Sequence, residues 1–497
     1  MFDSLLVAAD YLTNAINLFY LGLGVVIGLL FGTVPGLGGA TAIALLLPLT
    51  FGMEPEQAII LMGGIMGAVS IGGSVSAILL NTPGTAPNAA TCFDGYPLTQ
   101  QGKAGLAIGA AATASSVGGV IGVVILVLVL PIAKTIVLWF GPPAFFMMAV
   151  LGLTSLTVAR GNLLRGLIAA CLGLFIGFVG YDDIGGTERF TGGIEFLWDG
   201  LSIVPILIGL FAIAEMMNLY VSGGPISRTK AEPAARVTGT KEGITSALAN
   251  FKTILSGSAI GAVVGTVPGV GGTVASFLSY SFTAQASRNN EYFGKGDVRG
   301  VIASEAANNA KDGGSLIPTL AFGIPGSAEM ALFLGVLVLH GMDPGPMLLI
   351  ERESTIFMLI LALLTATIFS GALVLLAARY LAKIAHVDSA VLIPAVIIVS
   401  LVGAYALHSS IGDVFAAAFF GLVGYVMMRA DYPRITLIIA FVLSGLMERN
   451  FVQSMIMFRG DWLQIFSDTT TVVLFFLSLL VLLIPLIQFV RKGRHAQ

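Results

Sequence analysis

The octapeptide Gly32-Thr33-Val34-Pro35-Gly36-Leu37-Gly38-Gly39 returns 233 positions later as Gly265-Thr266-Val267-Pro268-Gly269-Val270-Gly271-Gly272, identical at seven of eight positions. Both copies interrupt apolar stretches that would otherwise read as unbroken helices. Proline removes a backbone donor and clashes with the preceding turn. Gly36, Gly38 and Gly39, like Gly269, Gly271 and Gly272, then release the chain from helical angles. The N–H groups set free, together with the N-terminus of the helix that follows, make a site for an anion. Freed carbonyls can hold a cation. Thr41 and Thr273, just past the glycines, add hydroxyls. The chemistry indicated is binding by backbone groups at a broken helix; the bland alternative, glycines that permit tight helix packing, explains the Pro-Gly pairs poorly.

The repeat continues. Ile71-Gly72-Gly73-Ser74 and Asn81-Thr82-Pro83-Gly84-Thr85 in the first half answer to Asp312-Gly313-Gly314-Ser315 and Gly323-Ile324-Pro325-Gly326-Ser327 in the second, at offsets of 241 and 242. An insertion of about eight residues relative to the octapeptide offset, placed in the polar loop 288–299, accounts for the drift. The candidate binding residues are therefore Pro35, Gly36, Gly38, Gly39, Thr41, Asn81, Thr82, Pro83, Gly84 and Thr85, with Pro268, Gly269, Gly271, Gly272, Thr273, Pro325, Gly326 and Ser327. Asn308 and Asn309 join them, because the stretch Glu305-Ala306-Ala307-Asn308-Asn309-Ala310-Lys311-Asp312 could line a polar path or coordinate a cation; its bland reading is an exposed helix start. Glu329 reads as a helix N-terminal acid or as a coupling carboxylate.

These segments need a scaffold, and the composition says what kind. Mean hydropathy is +0.95; 56% of residues are hydrophobic and only 10% charged. A membrane span takes about 20 apolar residues, so the chain allows roughly 10 to 14 spans or half-spans. The apolar runs are continuous, as in helices, and a barrel would alternate instead. The fold class expected is an all-α polytopic membrane protein with two inverted-topology repeats and broken or re-entrant helices. Candidate spans lie at 18–33, 36–50, 57–80, 104–130, 142–159, 162–181 and 200–221, then 253–267, 269–284, 300–324, 327–341, 355–378, 389–407, 411–428, 433–447 and 470–490. The domains read as a first membrane repeat (1–221), a cytoplasmic linker (222–250), a second repeat core (251–380) and additional C-terminal membrane helices (381–497). The linker carries Arg228, Lys230, Arg236 and Lys241, and the tail Arg491-Lys492-Gly493-Arg494 is basic, which places both in the cytoplasm. The N-terminus, with no Lys or Arg before Lys103, then falls on the periplasmic side, and its first apolar run is expected to be a retained span.

Pro35-Gly36-Leu37-Gly38-Gly39-Ala40-Thr41 through Leu47-Pro48, Asn81-Thr82-Pro83-Gly84, and Asp94-Gly95-Tyr96-Pro97 with Gly102-Lys103-Ala104 resemble the large membrane subunit, the TctA-like permease, of the tripartite tricarboxylate transporter family. The second-half motifs and the length match as well, so the resemblance covers nearly the whole chain. It implies a bacterial inner-membrane permease that takes up carboxylates on an ion gradient. The partners implied are a small four-span membrane subunit and a periplasmic solute-binding protein. Sodium and proton remain open as the coupling ion; the cofactor expected is none beyond a bound sodium ion. A homodimer and an elevator motion are further expectations. A passive channel for small anions is the alternative function.

The remaining residues say less. Lys134, Arg160, Arg165, Arg379, Lys383, Arg429 and Arg434 sit near span ends and are expected to snorkel. His340, His386, His408 and His495 are scattered, and Cys92 and Cys171 are expected to be unpaired thiols. Asp94-Gly95-Tyr96-Pro97 reads most simply as a turn, with a contact to a partner subunit as the other reading. No enzyme is expected: the octapeptides lack the Gly-Lys-Ser/Thr ending of a phosphate loop, and no recognisable hydrolase motif or basic nucleic-acid-binding domain occurs.

Overall fold

The computed structural model describes residues 2–159, 163–182, 185–222, 238–384 and 389–494. The first half runs α1 (Phe2–Thr13), α2 (Ala15–Thr33), α3 (Gly38–Leu46), α4 (Pro55–Leu80), α5 (Ala89–Gln100), α6 (Ala104–Val137), α7 (Pro142–Ala159) and α8 (Leu163–Gly177). A small antiparallel hairpin follows, β1 (Gly180–Tyr181) with β2 (Glu188–Arg189), in which Gly180 faces Arg189. Then come α9 (Ile203–Leu207), a π turn over Ile208–Ile213 and α10 (Ala214–Ser222). The second half has α11 (Thr240–Ala249), α12 (Phe251–Gly265), α13 (Gly271–Ala286), α14 (Val298–Phe322), α15 (Ala328–Leu339), α16 (Pro346–Glu351) and α17 (Glu353–Ile384). The chain ends with α18 (Ser389–His408), α19 (Ile411–Arg429), α20 (Arg434–Met457) and α21 (Thr469–Arg494).

Eight helices are long and apolar enough to cross a membrane among the described residues, or nine when α11 and α12, bent by 75° at Asn250, are taken as one span. The shorter apolar helices include the stretch Gly38–Gly52 and Ala328–Leu339. The molecule is therefore an all-helical polytopic membrane protein. Most of the linker read at 222–250 lies outside the described residues, as do Arg160, Arg228, Lys230, Arg236, His386 and His495 and the side chains of Arg379, Lys383 and Arg491–Arg494. The end of that segment, α11, is helical and packs on α6, with Gly243 against the Gly109 backbone.

α14 is the axle. It is buried over almost its whole length, polar residues included. It escapes the hydropathy pattern of a span because its middle carries Glu305, Asn308, Asn309, Lys311 and Asp312. Helices can approach this closely only where one of them lacks side chains. α6 comes in at Gly118 and Gly122, where an added Cβ would stand 2.5 Å from the Ala306 carbonyl and 2.6 Å from that of Ala310. α12 comes in at Gly257 and Gly261, against Ala303 and Ala307. In the first half, α2 meets α4 at Gly24 and Gly28, against Leu61 and Ile65. Gly24 and Gly28 lie 233 positions before Gly257 and Gly261, so the repeat governs packing as well as the breaks.

Asp94-Gly95-Tyr96-Pro97 is not a turn. It lies inside α5, with Pro97 in its last turn. Asp94 does not bend its own backbone; its Oδ1 accepts from Gly296 N at 2.8 Å and Asp297 N at 2.9 Å, and Oδ2 from the Tyr280 hydroxyl at 2.9 Å. The carboxylate caps a loop of the other half, a long-range role that local turn chemistry does not reveal.

Candidate functional site

Each octapeptide folds as the glycines require. α2 ends at Thr33 and α3 restarts at Gly38; α12 ends at Gly265 and α13 restarts at Gly271. Gly36 and Gly38 have φ of 89° and 61°, and Gly269 and Gly271 have 78° and 70°. These left-handed angles suit glycine and strain other residues. The second motifs also match. α4 ends on Asn81 at φ 52° and α14 on Gly323 at φ 68°, each two residues before the proline of a Pro-Gly pair.

Both restarted helices begin without a side-chain cap: Leu37 and Val270 occupy the cap positions. Their first-turn N–H groups have no partner within the helix. They open on one cavity of about 760 Å³. Its walls are Gly36–Thr41 and Pro83–Pro87 from the first half, and Gly269–Val274 and Gly326–Glu329 from the second. α20 and the π-turn region close it with Phe211, Glu215, Tyr432 and Arg434.

Of the residues expected from sequence, the cavity wall takes in Gly36, Gly38, Gly39, Thr41, Pro83, Gly84, Thr85, Gly269, Gly271, Gly272, Thr273, Gly326 and Ser327. Pro35, Pro268 and Pro325 stand one residue behind it, where they end the helices rather than face the space. Asn81 and Thr82 also stay off the wall; Asn81 is the left-handed cap and Thr82 Oγ1 donates to the Leu80 carbonyl. Asn308 and Asn309 are buried in α14 behind the cavity.

Of the charged groups at this site the sequence reading singled out the stretch holding Lys311 and Asp312 and the acid Glu329, but not how they pair, and it missed Glu215 and the inward turn of Arg434. Lys311 is buried, and its Nζ lies 2.5 Å from Asp312 Oδ1 and 3.2 Å from Glu329 Oε2. Its stem lies against the α13 start, so a Cβ at Gly272 would come within 2.8 Å of Lys311 Cε. Glu329 lies as close to the α3 start: a Cβ at Gly39 would stand 2.9 Å from Glu329 Oε1. Glu329 is also in the first turn of α15, whose N-cap Ser327 accepts from Met330 N. Arg434, which its span-end position suggested would snorkel, turns inward. Its Nη2 lies 3.3 Å from Glu215 Oε2, its Nη1 donates to the Leu210 carbonyl at 2.8 Å, and its guanidinium sits 5.4 Å from the Phe211 ring centre. The π turn makes this reach possible by widening the helix around Leu210; such turns are frequent at functional sites. The signal available in sequence was Arg434 following Pro433 at a helix start, where a cation is unfavourable unless something holds it.

A single space floored by two broken helices, with the buried Lys311 and the half-buried Arg434 at its wall, is the candidate binding site. A profile of the tripartite tricarboxylate transporter TctA family matches residues 18–439. The chain belongs to that family. A relative from Agrobacterium vitis, described as an uncharacterized 52.8 kDa protein in the TAR-I ttuC' 3'region, is 32% identical over 497 residues, covering 96% of this chain and 95% of its own length. A second protein of that organism, from the TAR-II ttuC' 3'region, is 32% identical over 234 residues, which is 47% of this chain and 97% of its own length. No solved structure matches. Family membership makes the chain a membrane component of a tripartite tricarboxylate transporter. In that setting the cavity shared by both halves of this TctA-family chain is the candidate substrate site.

Proposed function

We propose that this chain is the large permease subunit of a binding-protein-dependent carboxylate uptake system, and that it works as a secondary active transporter on an ion gradient. The observation that carries the reading is the cavity lined by both helix breaks. Carboxylates suit it because each donor type there favours an anion: the uncapped starts of α3 and α13, and the cations Lys311 and Arg434. A multiply charged carboxylate has enough oxygens to meet more than one of them.

The charge count supports coupling. Lys311 and Arg434 face three carboxylates, Asp312, Glu329 and Glu215, while Asp431 at the rim pairs with Arg165 at 2.7 Å. A site already short of positive charge takes up a polyanion with a compensating cation, either a proton or sodium.

The halves act as inverted repeats, with α3 and α15 as re-entrant elements, and alternate access moves the shared cavity between the two sides of the membrane. The setting is a bacterial inner membrane, with the N-terminus periplasmic and the C-terminus cytoplasmic. The partners are a small four-span membrane subunit and a periplasmic solute-binding protein that delivers the substrate. No enzymatic step is involved.

Reconstitution of the chain with both partners into liposomes tests this. Uptake of labelled citrate should saturate, require the binding protein, and collapse when ionophores dissipate the ion gradients. Uptake indifferent to the gradients rejects secondary transport. Non-saturating conductance through the chain alone would make it a channel.

A further inference from the structure

We infer that Glu305 is the group that carries a co-transported proton, connected to the substrate cavity through Asn88 and Thr85. The inference rests on the transport reading above and names the coupling group within it.

Glu305 is fully buried in the middle of α14. Its carboxylate meets three hydrogen-bonding groups from the other half of the chain. Oε1 accepts from Asn88 Nδ2 at 3.1 Å and Thr91 Oγ1 at 2.5 Å, and Oε2 accepts from Ser115 Oγ at 2.8 Å. Among the described residues no Lys, Arg or His pairs with it. An isolated buried carboxylate is too costly to keep charged without compensation, and it is neutralised by a proton or by a bound cation.

The shell favours the proton. Asn88 Nδ2 also reaches the Ser70 carbonyl at 3.1 Å, and Asn88 Oδ1 accepts from Thr85 Oγ1 at 2.5 Å. A carbonyl only accepts, so the amide nitrogen must face Ser70, and the same nitrogen faces Glu305. Asn88 thus presents N–H rather than an oxygen lone pair, which is wrong for ligating a metal cation and right for a carboxyl group that alternates between charged and neutral.

Two routes join Glu305 to the cavity. The first is the chain Thr85–Asn88–Glu305. Thr85 lines the cavity beside Pro83-Gly84, so a ligand that moves this connection between α4 and α5 moves the donor to Glu305. The second runs along α14. Asn308 lies one turn on and is fully buried, and among the described residues both its Nδ2 and Oδ1 lack a partner, as does Asn309 Oδ1. Partnerless buried amides at this depth point to bound water. Asp312, paired with Lys311 near the cavity, follows two turns from Glu305, about 10 Å along the axis. Water held by Asn308 and Asn309 would pass a proton over that distance. The step is simple: the carboxylate takes a proton from cavity water, forms a neutral carboxyl, and returns it on the other side.

The other titratable groups around Glu305 are few. Cys92, next to Thr91 on α5, is a half-buried free thiol. Asp94 on α5 and Tyr280 on α13 are bonded to each other. α4, α6 and α12 carry Glu56, Lys134 and Lys252 only in their end turns, and Arg299 at the start of α14 pairs with Asp297.

Infrared difference spectra between acid and alkaline pH on the purified full chain, and citrate uptake in the reconstituted three-component system, test the inference. The wild type should show a protonated-carboxyl C=O stretch that is absent in Glu305→Gln and displaced in Glu305→Asp. Glu305→Gln should lose stimulation by ΔpH while citrate counterflow persists. An unchanged carboxyl band, or unchanged ΔpH stimulation in Glu305→Gln, overturns the assignment. If Glu305→Gln fails to fold, Asn88→Ala keeps the carboxyl but removes a donor to its charged form, so the band's titration midpoint should rise; an unmoved midpoint overturns the link. Wild-type uptake driven by sodium without proton movement also overturns it and leaves the transport reading intact. Absence of any uptake counts against transport, and the carboxyl band still decides whether Glu305 titrates.

Discussion

Lys311 offers the sharpest separation between a structural and a binding role. Its Nζ holds Asp312 at 2.5 Å and Glu329 at 3.2 Å, and the lysine and aspartate side chains are only 3% and 6% exposed. Lys311→Met strands two carboxylates, one of them deep in the protein. Breaking a buried ion pair by removing one partner costs about 3–5 kcal/mol. Replacing the whole group by neutral residues of similar size is instead often close to neutral in stability. The triple variant Lys311→Met, Asp312→Asn, Glu329→Gln should therefore recover most of what the single variant loses. Affinity should not recover. A hydrogen bond to a charged group is worth about 1.5–3 kcal/mol, so citrate binding should weaken roughly ten- to hundred-fold in the triple variant. Thermal unfolding in detergent and citrate binding to the same preparations give both readouts. A triple variant that binds citrate like the wild type removes Lys311 from the site. A single variant as stable as the wild type shows that the triad is not a buried ion network.

Four further outcomes follow from the geometry. Gly38→Val and Gly271→Val place a β-branched side chain at φ of 61° and 70° with open space around it; strain of about 1–3 kcal/mol should misplace the helix starts and abolish uptake while the protein still inserts, and normal uptake in both would remove the breaks from the mechanism. Gly84→Ala would overlap the Gly32 carbonyl backbone, whereas a Cβ at its twin Gly326 comes no closer than 3.0 Å to any atom; thermal unfolding should show the first variant much the less stable, and equal melting would contradict the close packing described. Arg434→Lys keeps the charge but cannot reach both Glu215 and the Leu210 carbonyl, so citrate KM should rise with little loss of protein yield. Asp94→Asn removes one of the two acceptor oxygens that hold Gly296, Asp297 and Tyr280; proteolysis should then cut within 288–299 faster than in the wild type.

The sequence made the backbone of the site legible and hid its side chains. The octapeptides and the Pro-Gly pairs could be read because proline and glycine act on their own chain, and the breaks at 34–37 and 266–270 are local events. Helix positions were legible for the same reason, since apolar length is a property of one segment. What pairs across the fold was not. Lys311 and Glu329 are 18 positions apart, Glu215 and Arg434 are 219 apart, and Asn88 and Glu305 are 217 apart. The one local hint at Arg434, a cation at a helix start after Pro433, does not name the Glu215 and Leu210 partners that hold it. Asp94 was misread because a turn-forming tetrapeptide can also lie in a helix whose acid caps another loop.

The two halves share a backbone design but divide the work. Each has a glycine-faced helix, α2 or α12, laid on a long partner, α4 or α14, and each partner ends on a left-handed residue before a Pro-Gly pair. Ahead of the shared Gly-Gly-Ser the side chains diverge. Glu305, Asn308, Asn309, Lys311 and Asp312 stand 241 positions after Gly64, Gly67, Ala68, Ser70 and Ile71. On α4 the glycines among them let neighbours in: Gly64 meets Leu21 and Gly24 on α2, and Gly67 meets Ala366 and the Leu363 carbonyl on α17. On α14 the equivalent positions hold the buried ionisable and amide groups. Such groups are costly inside a membrane protein and persist where they are partnered or functional. The first half answers them with neutral donors, Asn88, Thr91 and Ser115, rather than with counter-charges. A counter-charge would lock Glu305 in one state, whereas neutral donors leave it free to change state. The repeat thus supplies two matching helix N-termini to one cavity, and its divergence places Glu305, Lys311 and Asp312 on a single helix that both halves grip.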